Sequence, residues 1–296
     1  MRPDGPALAF EPHRARLTGL AYRMLGSVAE AEDAVQDAYL RWHEADRSAV
    51  RDAAGFLYRL VTRLCIDRLK SARVRRETYI GPWLPEPVLD AEALAAPNDG
   101  EFAADLSFAL MLALERLSPL ERAAFLLHDV FDVDFSEIAM TLGRSDAACR
   151  QLAARARAHV RAARPRFSVS PAEGEALLSA FLRAAQEGDA AALRCLLAEG
   201  AVLHGDGGGQ RRAALNIIVG REHIARLFAG LARKPRVARR LAGMVAINGL
   251  PGALVAEPDG SLLAIAVECD AGRIAAVYFV RNPEKLRHLQ AHGPAA

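Results

Sequence analysis

The sequence predicts a multi-domain protein in which two all-α helical domains are followed by an α+β domain. Three observations carry this. Apolar residues recur at helical spacing through residues 8–76 and again through 105–165. Four prolines interrupt the stretch between them. Beyond residue 172 the pattern changes to short strands and turn dipeptides mixed with helices. The 296 residues, 52% of them hydrophobic, can supply two or three cores.

The first block opens with RARLTGLAYRMLG, apolar along one face and closed at Gly26. Ser27 is placed to cap a second helix from Val28 to about Trp42, and Glu30, Glu32 and Asp33 suit its positive N-terminal end. A polar loop at about Asp46 to Asp52 leads into a long helix from about Ala53 to Arg76, with Phe56, Leu57, Leu60, Leu64 and Leu69 facing inward. Residues 77–104 read as an extended, proline-rich, acidic linker, because Pro82, Pro85, Pro87 and Pro97 exclude a regular helix or central strand. Trp83 and Leu84 in GPWLPEP are too apolar to stay in water, so one docked anchor point is expected there.

The second helical block begins with Ser118-Pro119-Leu120-Glu121, a capping box with proline at the first helical position. It is followed by FSEIAMTLGRSDAACRQLAARAR at residues 135–157, which fits a helix-turn-helix. Ile138, Ala139 and Leu142 form the inner face of one helix, Gly143 the turn, and Cys149 and Leu152 the inner face of the next. Ser145 can cap that second helix, which presents Arg144, Arg150, Gln151, Arg155 and Arg157 outward. An αα-hairpin with a solvated basic face shows the same spacing.

In the third block, residues 172–290, helices are expected at about 173–187 and 190–198, the second cappable by Asp189. A strand at Ala201 to His204, the DGGG loop at Asp206 to Gly209, a further strand and a helix from about Glu222 to Ala232 follow. Three or four strands lie between Arg236 and Val280, with hairpin turns at Pro258-Asp259-Gly260 and Asp270-Ala271-Gly272. The expected result is a curved antiparallel sheet packed on helices.

Charge narrows the function. The chain as a whole is nearly neutral, with 38 Lys+Arg against 36 Asp+Glu, but it is strongly blocked. Residues 59–76 hold seven basic groups against Asp67, and residues 144–166 hold seven arginines against Asp146. Between them, residues 77–137 carry thirteen acids and two arginines. Two cationic helices separated by an acidic stretch suggest two phosphate-binding surfaces and a connector repelled by nucleic acid. No apolar stretch has the length of a signal peptide or a membrane span, so a cytoplasmic protein without membrane contact is expected. Cys65, Cys149, Cys195 and Cys269 are dispersed and lack CxxC spacing, which reads as buried thiols, not a disulfide framework or a metal site.

AEAEDAVQDAYLRW and AAGFLYRLVTRLCIDRLK resemble the clamp-docking and promoter-reading helices of region 2 of the extracytoplasmic function (ECF) sigma factors, in the sigma-70 family. SPLERAAFLLHDVFDVDFSEIAMTLGRSDAACRQLAARARAHVR resembles their region 4. WLPEP at Trp83 to Pro87, DGGG at Asp206 to Gly209 and NPEKL at Asn282 to Leu286 are similar to the marks of the group with a SnoaL-like C-terminal extension. The resemblance covers almost the whole chain. It implies region 2 at residues 8–76, region 4 at 105–165 and a SnoaL/NTF2-like cone domain at 172–290.

It also implies partners: core RNA polymerase, through clamp and flap, and promoter DNA, with no cofactor. Melting about ten base pairs at about 1.4 kcal/mol per step costs on the order of 14 kcal/mol, more than a small helical domain supplies alone. Asp33, Gln36 and Asp37 share one helix face and are expected to meet basic residues of the clamp. For the −10 element the candidates are the Asp46–Asp52 loop and Arg59, Thr62, Arg63 and Asp67, with Lys70, Arg73, Arg75 and Arg76 on phosphates. Arg63 departs from the asparagine common in the family, and Tyr58 is either a packed ring or a stacking platform.

For the −35 element they are Arg144, Ser145, Ala147, Ala148, Arg150 and Gln151, with Arg155 and Arg157 on phosphates. Trp83, Leu84, Pro85, Asp206, Gly207, Gly208, Gly209, Asn282, Pro283 and Lys285 are expected as regulatory contacts joining the C-terminal domain to region 2 and the linker. They would act in place of a separate anti-sigma protein. His204 and Asp206 alternate onto one strand face near Tyr278, but such pairs are commonly packed or solvated, and no catalytic residue is assigned. Two other readings stand beside this one: a helix-turn-helix regulator that acts without polymerase, and a SnoaL-type isomerase or cyclase with secondary DNA binding.

Overall fold

The structure, a computed structural model, describes residues 5–46, 48, 50–89, 94, 102, 104–163, 169–233 and 240–292. Two compact units emerge: Met1–Glu77 with Asp90–Arg164, and Thr78–Leu89 with Pro165–Ala296. The first half of the expected linker therefore belongs to the C-terminal unit.

The first unit is helical: α1 Gly5–Phe10, α2 Arg14–Leu25, α3 Val28–Glu44, α4 Ala53–Glu77, α5 Phe108–Glu115, α6 Pro119–Phe125, α7 Phe135–Leu142 and α8 Asp146–Ala163. Local chemistry sets the boundaries. Gly26 ends α2 in the left-handed region at φ 72°, and Ser27 starts α3 by accepting from the Glu30 amide. The capping box at Ser118 and Glu121 is formed in both directions. Between α6 and α7 the chain widens into a π turn at Leu126–Val130.

Among the described residues of this unit, Arg23 and Arg122 are buried. Arg23 on α2 donates to the carbonyls of Gly19, Leu94 and Asp105, and burial pulls its pKa down to about 10. Arg122 on α6 donates to the Met24 carbonyl at 2.6 Å and to Glu115 Oε1 at 2.7 Å, and burial alone pulls it down to about 9.

The second unit contains α9 Pro171–Glu187, α10 Ala190–Leu196, β1 Leu197–Asp206, β2 Ile218–Val219, α11 Arg221–Ala232, β3 Arg240–Ile247, β4 Leu250–Ala256, β5 Leu262–Asp270 and β6 Arg273–Val280. The strands form one sheet in the order β2-β1-β6-β5-β4-β3. Its core face joins Leu203, Ala253, Val255, Ile265 and Val277 to Leu178 and Phe181 of α9, Leu193 of α10 and Ile224 of α11. The expected all-antiparallel sheet is corrected to a mixed one, because β1 runs parallel to β6. The chain leaves β1, crosses through α11 and enters the sheet at its far edge. Three hairpin reversals then bring β6 back beside β1 in the same direction, which alternation within single strands cannot reveal.

Three of the four cysteines are buried and Cys195 is exposed. Burial pushes the Cys65 thiol up to about 12 and that of Cys269 up to about 11. Among the described residues no helix is long and apolar enough to cross a membrane.

Two glycines separate packing from propensity. A Cβ on Gly174 of α9 meets Pro251 Cγ at 2.4 Å, whereas one on Gly230 of α11 meets nothing within 4 Å. Gly174→Ala is expected to destabilise the protein by about 1–3 kcal/mol, and Gly230→Ala to stabilise it by about 0.5–1 kcal/mol. Urea unfolding midpoints of the two variants, moving in opposite directions, check this.

Candidate polymerase, promoter and linker-binding sites

The helix-turn-helix forms as its spacing implies. Gly143 takes the left-handed conformation at φ 62°, and Ser145 Oγ accepts from the Ala148 amide, starting α8. Arg144, Ser145, Ala147, Arg150, Gln151 and Arg155 are exposed on this unit, and Ala148 is half-buried. The Arg150 guanidinium lies 4.6 Å from the Phe135 ring centroid, and that ring is 4.0 Å from His128. Arg157 departs from the expectation of a phosphate contact. It pairs with the largely buried Asp129 at 2.5 Å, tying α8 to the π turn.

On α4, Arg59 is half-buried beside Phe56, while Arg63, Asp67 and Lys70 are exposed. Asp67 and Lys70 pair with each other at 2.8 Å. Thr62, expected on the DNA-facing surface, is instead fully buried. It lies at the border of that face, on the side of Val61, Cys65 and Leu69, where its hydroxyl alone had suggested exposure. Tyr58 is a packed ring, 5.8 Å from Phe131. Arg63 does not point freely outward: it donates to the carbonyls of Met140 at 3.0 Å and Thr141 at 3.2 Å. The side chains of Arg73, Arg75 and Arg76 lie outside the described residues, as do positions 47 and 49 of the preceding loop.

On α3, Asp33 and Gln36 are exposed and border a groove of about 350 Å³ whose walls include Arg14, Thr18, Glu32 and Val35. Asp37 is shared with α4, its carboxylate 2.6 Å from the Arg68 guanidinium, which also donates to the Glu30 carbonyl.

In the C-terminal unit, six of the expected regulatory residues converge: Trp83, Leu84, Asp206, Gly208, Asn282 and Lys285. Asp206, at the end of β1, is fully buried. It accepts from the Leu84 amide at 2.9 Å, Tyr79 Oη at 2.5 Å, the Gly208 amide at 3.0 Å and Lys285 Nζ at 2.7 Å. Lys285 also donates to the Leu84 carbonyl and sits 4.3 Å from the Trp83 ring centroid and 4.8 Å from that of Tyr79. Asn282 donates to Tyr79 Oη at 2.9 Å.

The glycines follow from close approach. A Cβ on Gly207 meets the Arg211 carbonyl oxygen at 2.1 Å, one on Gly208 meets Asn282 Nδ2 at 2.3 Å, and one on Gly209 meets Ile80 at 2.9 Å. Pro85 is buried and Pro283 half-buried, both in packing. Burial and the Asp206 acceptor push the Tyr79 phenol well above its ordinary range.

Sequence reasoning missed three members of this cluster. Tyr79 precedes the motif by a few residues. Asn248, at φ 53°, exchanges hydrogen bonds with the backbone of Val88 at 3.0 and 2.7 Å. His288 Nε2 lies 2.8 Å from the Pro87 carbonyl. The Asn248-Gly249 pair between two strands was a legible hairpin signal; nothing in the sequence marked the other two.

His204 stacks on Tyr278 at 5.3 Å, and Tyr278 Oη donates to Glu268 at 2.8 Å, with burial pushing the phenol's pKa up. Asp206 is thus committed to the linker segment, and the nearby Tyr278 to Glu268.

Comparison with known proteins agrees with this anatomy. The Sigma-70 region 2 profile matches residues 9–75 and the Sigma-70 region 4 profile residues 107–160. The ECF RNA polymerase sigma factor SigJ of Mycobacterium tuberculosis H37Rv is 39% identical over 287 residues, spanning 93% of this chain and 91% of the relative. The probable ECF RNA polymerase sigma factor SigI of the same organism is 33% identical over 297 residues, spanning 97% of each. The crystal structure of Mycobacterium tuberculosis SigJ superposes with a TM-score of 0.74 at 35% identity, covering 97% of this chain and 99% of that one. Two adjoining sigma-70 regions, a linker segment bound by a C-terminal α+β unit, and relatives aligned end to end place the chain in one family: it belongs to the extracytoplasmic function sigma factors, the non-enzymatic RNA polymerase subunits that direct promoter recognition.

Proposed function

We propose that this sigma factor docks on core polymerase through Asp33, Gln36 and Asp37 of α3, engages the −10 element with α4 and the loop before it, and reads the −35 element with the leading half of α8. We further propose that its C-terminal unit sets promoter output by holding residues 79–88, so that no separate anti-sigma protein is required. In this reading Arg59, Arg63 and Asp67 face the −10 element while Lys70, Arg73, Arg75 and Arg76 neutralise phosphates. The exposed Asp67–Lys70 pair is weak enough for a phosphate to displace. Arg144, Ser145, Ala147, Ala148, Arg150 and Gln151 enter the major groove, and Arg155 meets the backbone.

The observation that carries the regulatory part is the buried Asp206–Lys285 pair closed around Leu84. A fully buried carboxylate is costly unless matched by donors, and two of the four that match it come from Tyr79 and Leu84. The segment following α4 is therefore part of what stabilises the C-terminal unit. Any event that frees it leaves the carboxylate undersatisfied.

Three outcomes test this reading. Asp33→Lys should weaken core-polymerase binding at least tenfold in a pull-down titration, while Asp37→Asn, whose carboxylate is shared with Arg68, should lose less; equal binding by all forms removes α3 from the interface. Arg150→Ala should relax −35 sequence preference by about 1–3 kcal/mol in run-off transcription from a randomised promoter library, whereas a uniform loss over all sequences would make it a phosphate contact. Asp206→Asn removes the carboxylate that pairs with the buried Lys285 ammonium, a loss of about 3–5 kcal/mol from the clasp. Amide exchange across residues 79–88 should accelerate and promoter output change; accelerated exchange with unchanged output would eliminate the regulatory role.

A further inference from the structure

Arg150 and Arg157 stand two helical turns apart on α8 and so share one face of it. That face meets the π turn and the start of α7. Arg157 is spent there, its Nε bonded to Asp129 Oδ1 at 2.5 Å. Arg150 meets a different surface: its guanidinium lies over the ring of Phe135, the first residue of α7, 4.6 Å from the centroid.

The ring is itself held. Its centroid is 4.0 Å from that of His128, and His128 Nδ1 lies 3.2 Å from the Val133 carbonyl oxygen. Asp129, which binds Arg157, is the next residue in the same turn. One irregular turn therefore sets the positions of both arginines.

The two contacts differ in what they leave over. A carboxylate takes up N–H donors, whereas attraction to an aromatic face acts on the charge and leaves the guanidinium fork for another partner. Among the described residues Arg150 donates no hydrogen bond, and it is exposed. A free arginine loses rotamer freedom on binding; one already seated loses less and offers its fork in a fixed direction. That fork matches the paired O6 and N7 acceptors of guanine in the major groove.

We propose that Phe135 is a positioning residue for −35 recognition: its ring, backed by His128, presents the Arg150 guanidinium to a guanine of the element. The proposal rests on the assignment of Arg150 to the −35 element made above. Where DNA excludes water from the groove, attraction to the ring strengthens. It then favours the complex in which the guanidinium stays over Phe135 against those in which a wrong base draws it aside.

The test is run-off transcription by holoenzyme reconstituted with the full chain, on a promoter library randomised in the −35 element. Phe135→Leu should reduce discrimination at one base pair, a guanine in the preferred sequence, by about two- to fivefold, the equivalent of an exposed cation–π contact. Phe135→Tyr should retain it. Mono-, di- and trifluorophenylalanine, installed at position 135 by stop-codon suppression, keep the ring's shape while withdrawing the negative charge of its face, so discrimination should fall stepwise along the series even if the leucine variant does not fold. In an Arg150→Ala background the same substitutions should change nothing further. Discrimination that is flat or rises along the fluorinated series, or that falls equally with Arg150 absent, overturns the proposal. Arg150→Ala alone reports on the underlying assignment. Undiminished discrimination there removes Arg150 from the −35 contacts and Phe135 with it, whereas lost discrimination beside a flat fluorinated series sinks the positioning role alone.

Discussion

Asp206 carries a negative charge with no exposure to water, and the C-terminal unit is organised around satisfying it. β1 delivers the carboxylate, the glycine loop lets the backbone of Gly208 reach back to it, and the chain beyond β6 supplies Lys285. The remaining donors come from a segment that is remote in sequence and otherwise has no regular structure. Low dielectric makes each of these bonds stronger and each omission more costly. A proline-rich stretch that would by itself stay extended in solvent is thereby made an integral part of a folded domain.

The same principle governs the helical unit with the sign reversed. Arg23 and Arg122 are buried cations, and both are met largely by backbone carbonyls. Carbonyl acceptors fix position through geometry, and at Arg122 the Glu115 carboxylate adds the compensating charge. A contact built this way holds its partners in one register yet depends on a small number of directional bonds, unlike a broad apolar interface whose stability is spread over many atoms.

Features determined by neighbours in sequence were legible. Gly26 followed by Ser27, the Ser118–Glu121 capping box, and Gly143 with Ser145 each announce a helix boundary through chemistry confined to a few residues, and the structure places the boundaries there. Several features determined by distant partners were not. Tyr79 meets Asp206 across 127 positions, Asn248 meets Val88 across 160 and His288 meets Pro87 across 201. Helical phase is an intermediate case. Thr62 and Arg157 sit on helices correctly expected, but a rotation of one residue decides whether a side chain faces solvent or a neighbour, and polarity alone does not resolve that. The parallel pairing of β1 with β6 belongs to topology, to which strand alternation is blind.

The grip on the WLPEP segment also imposes an order on biosynthesis. Leu84 precedes the lysine that closes over it by 201 residues, so at elongation rates of about 5–20 residues per second the ribosome takes roughly 10–40 s to deliver that lysine. Once residue 160 has been made, the nascent chain carries its complete helix-turn-helix while it still lacks that lysine, since region 4 is encoded between the two halves of the clasp. A segment made early is therefore locked down by residues made much later, and a chain terminated between the end of region 4 and residue 285 carries regions 2 and 4 without the lysine that closes over Leu84.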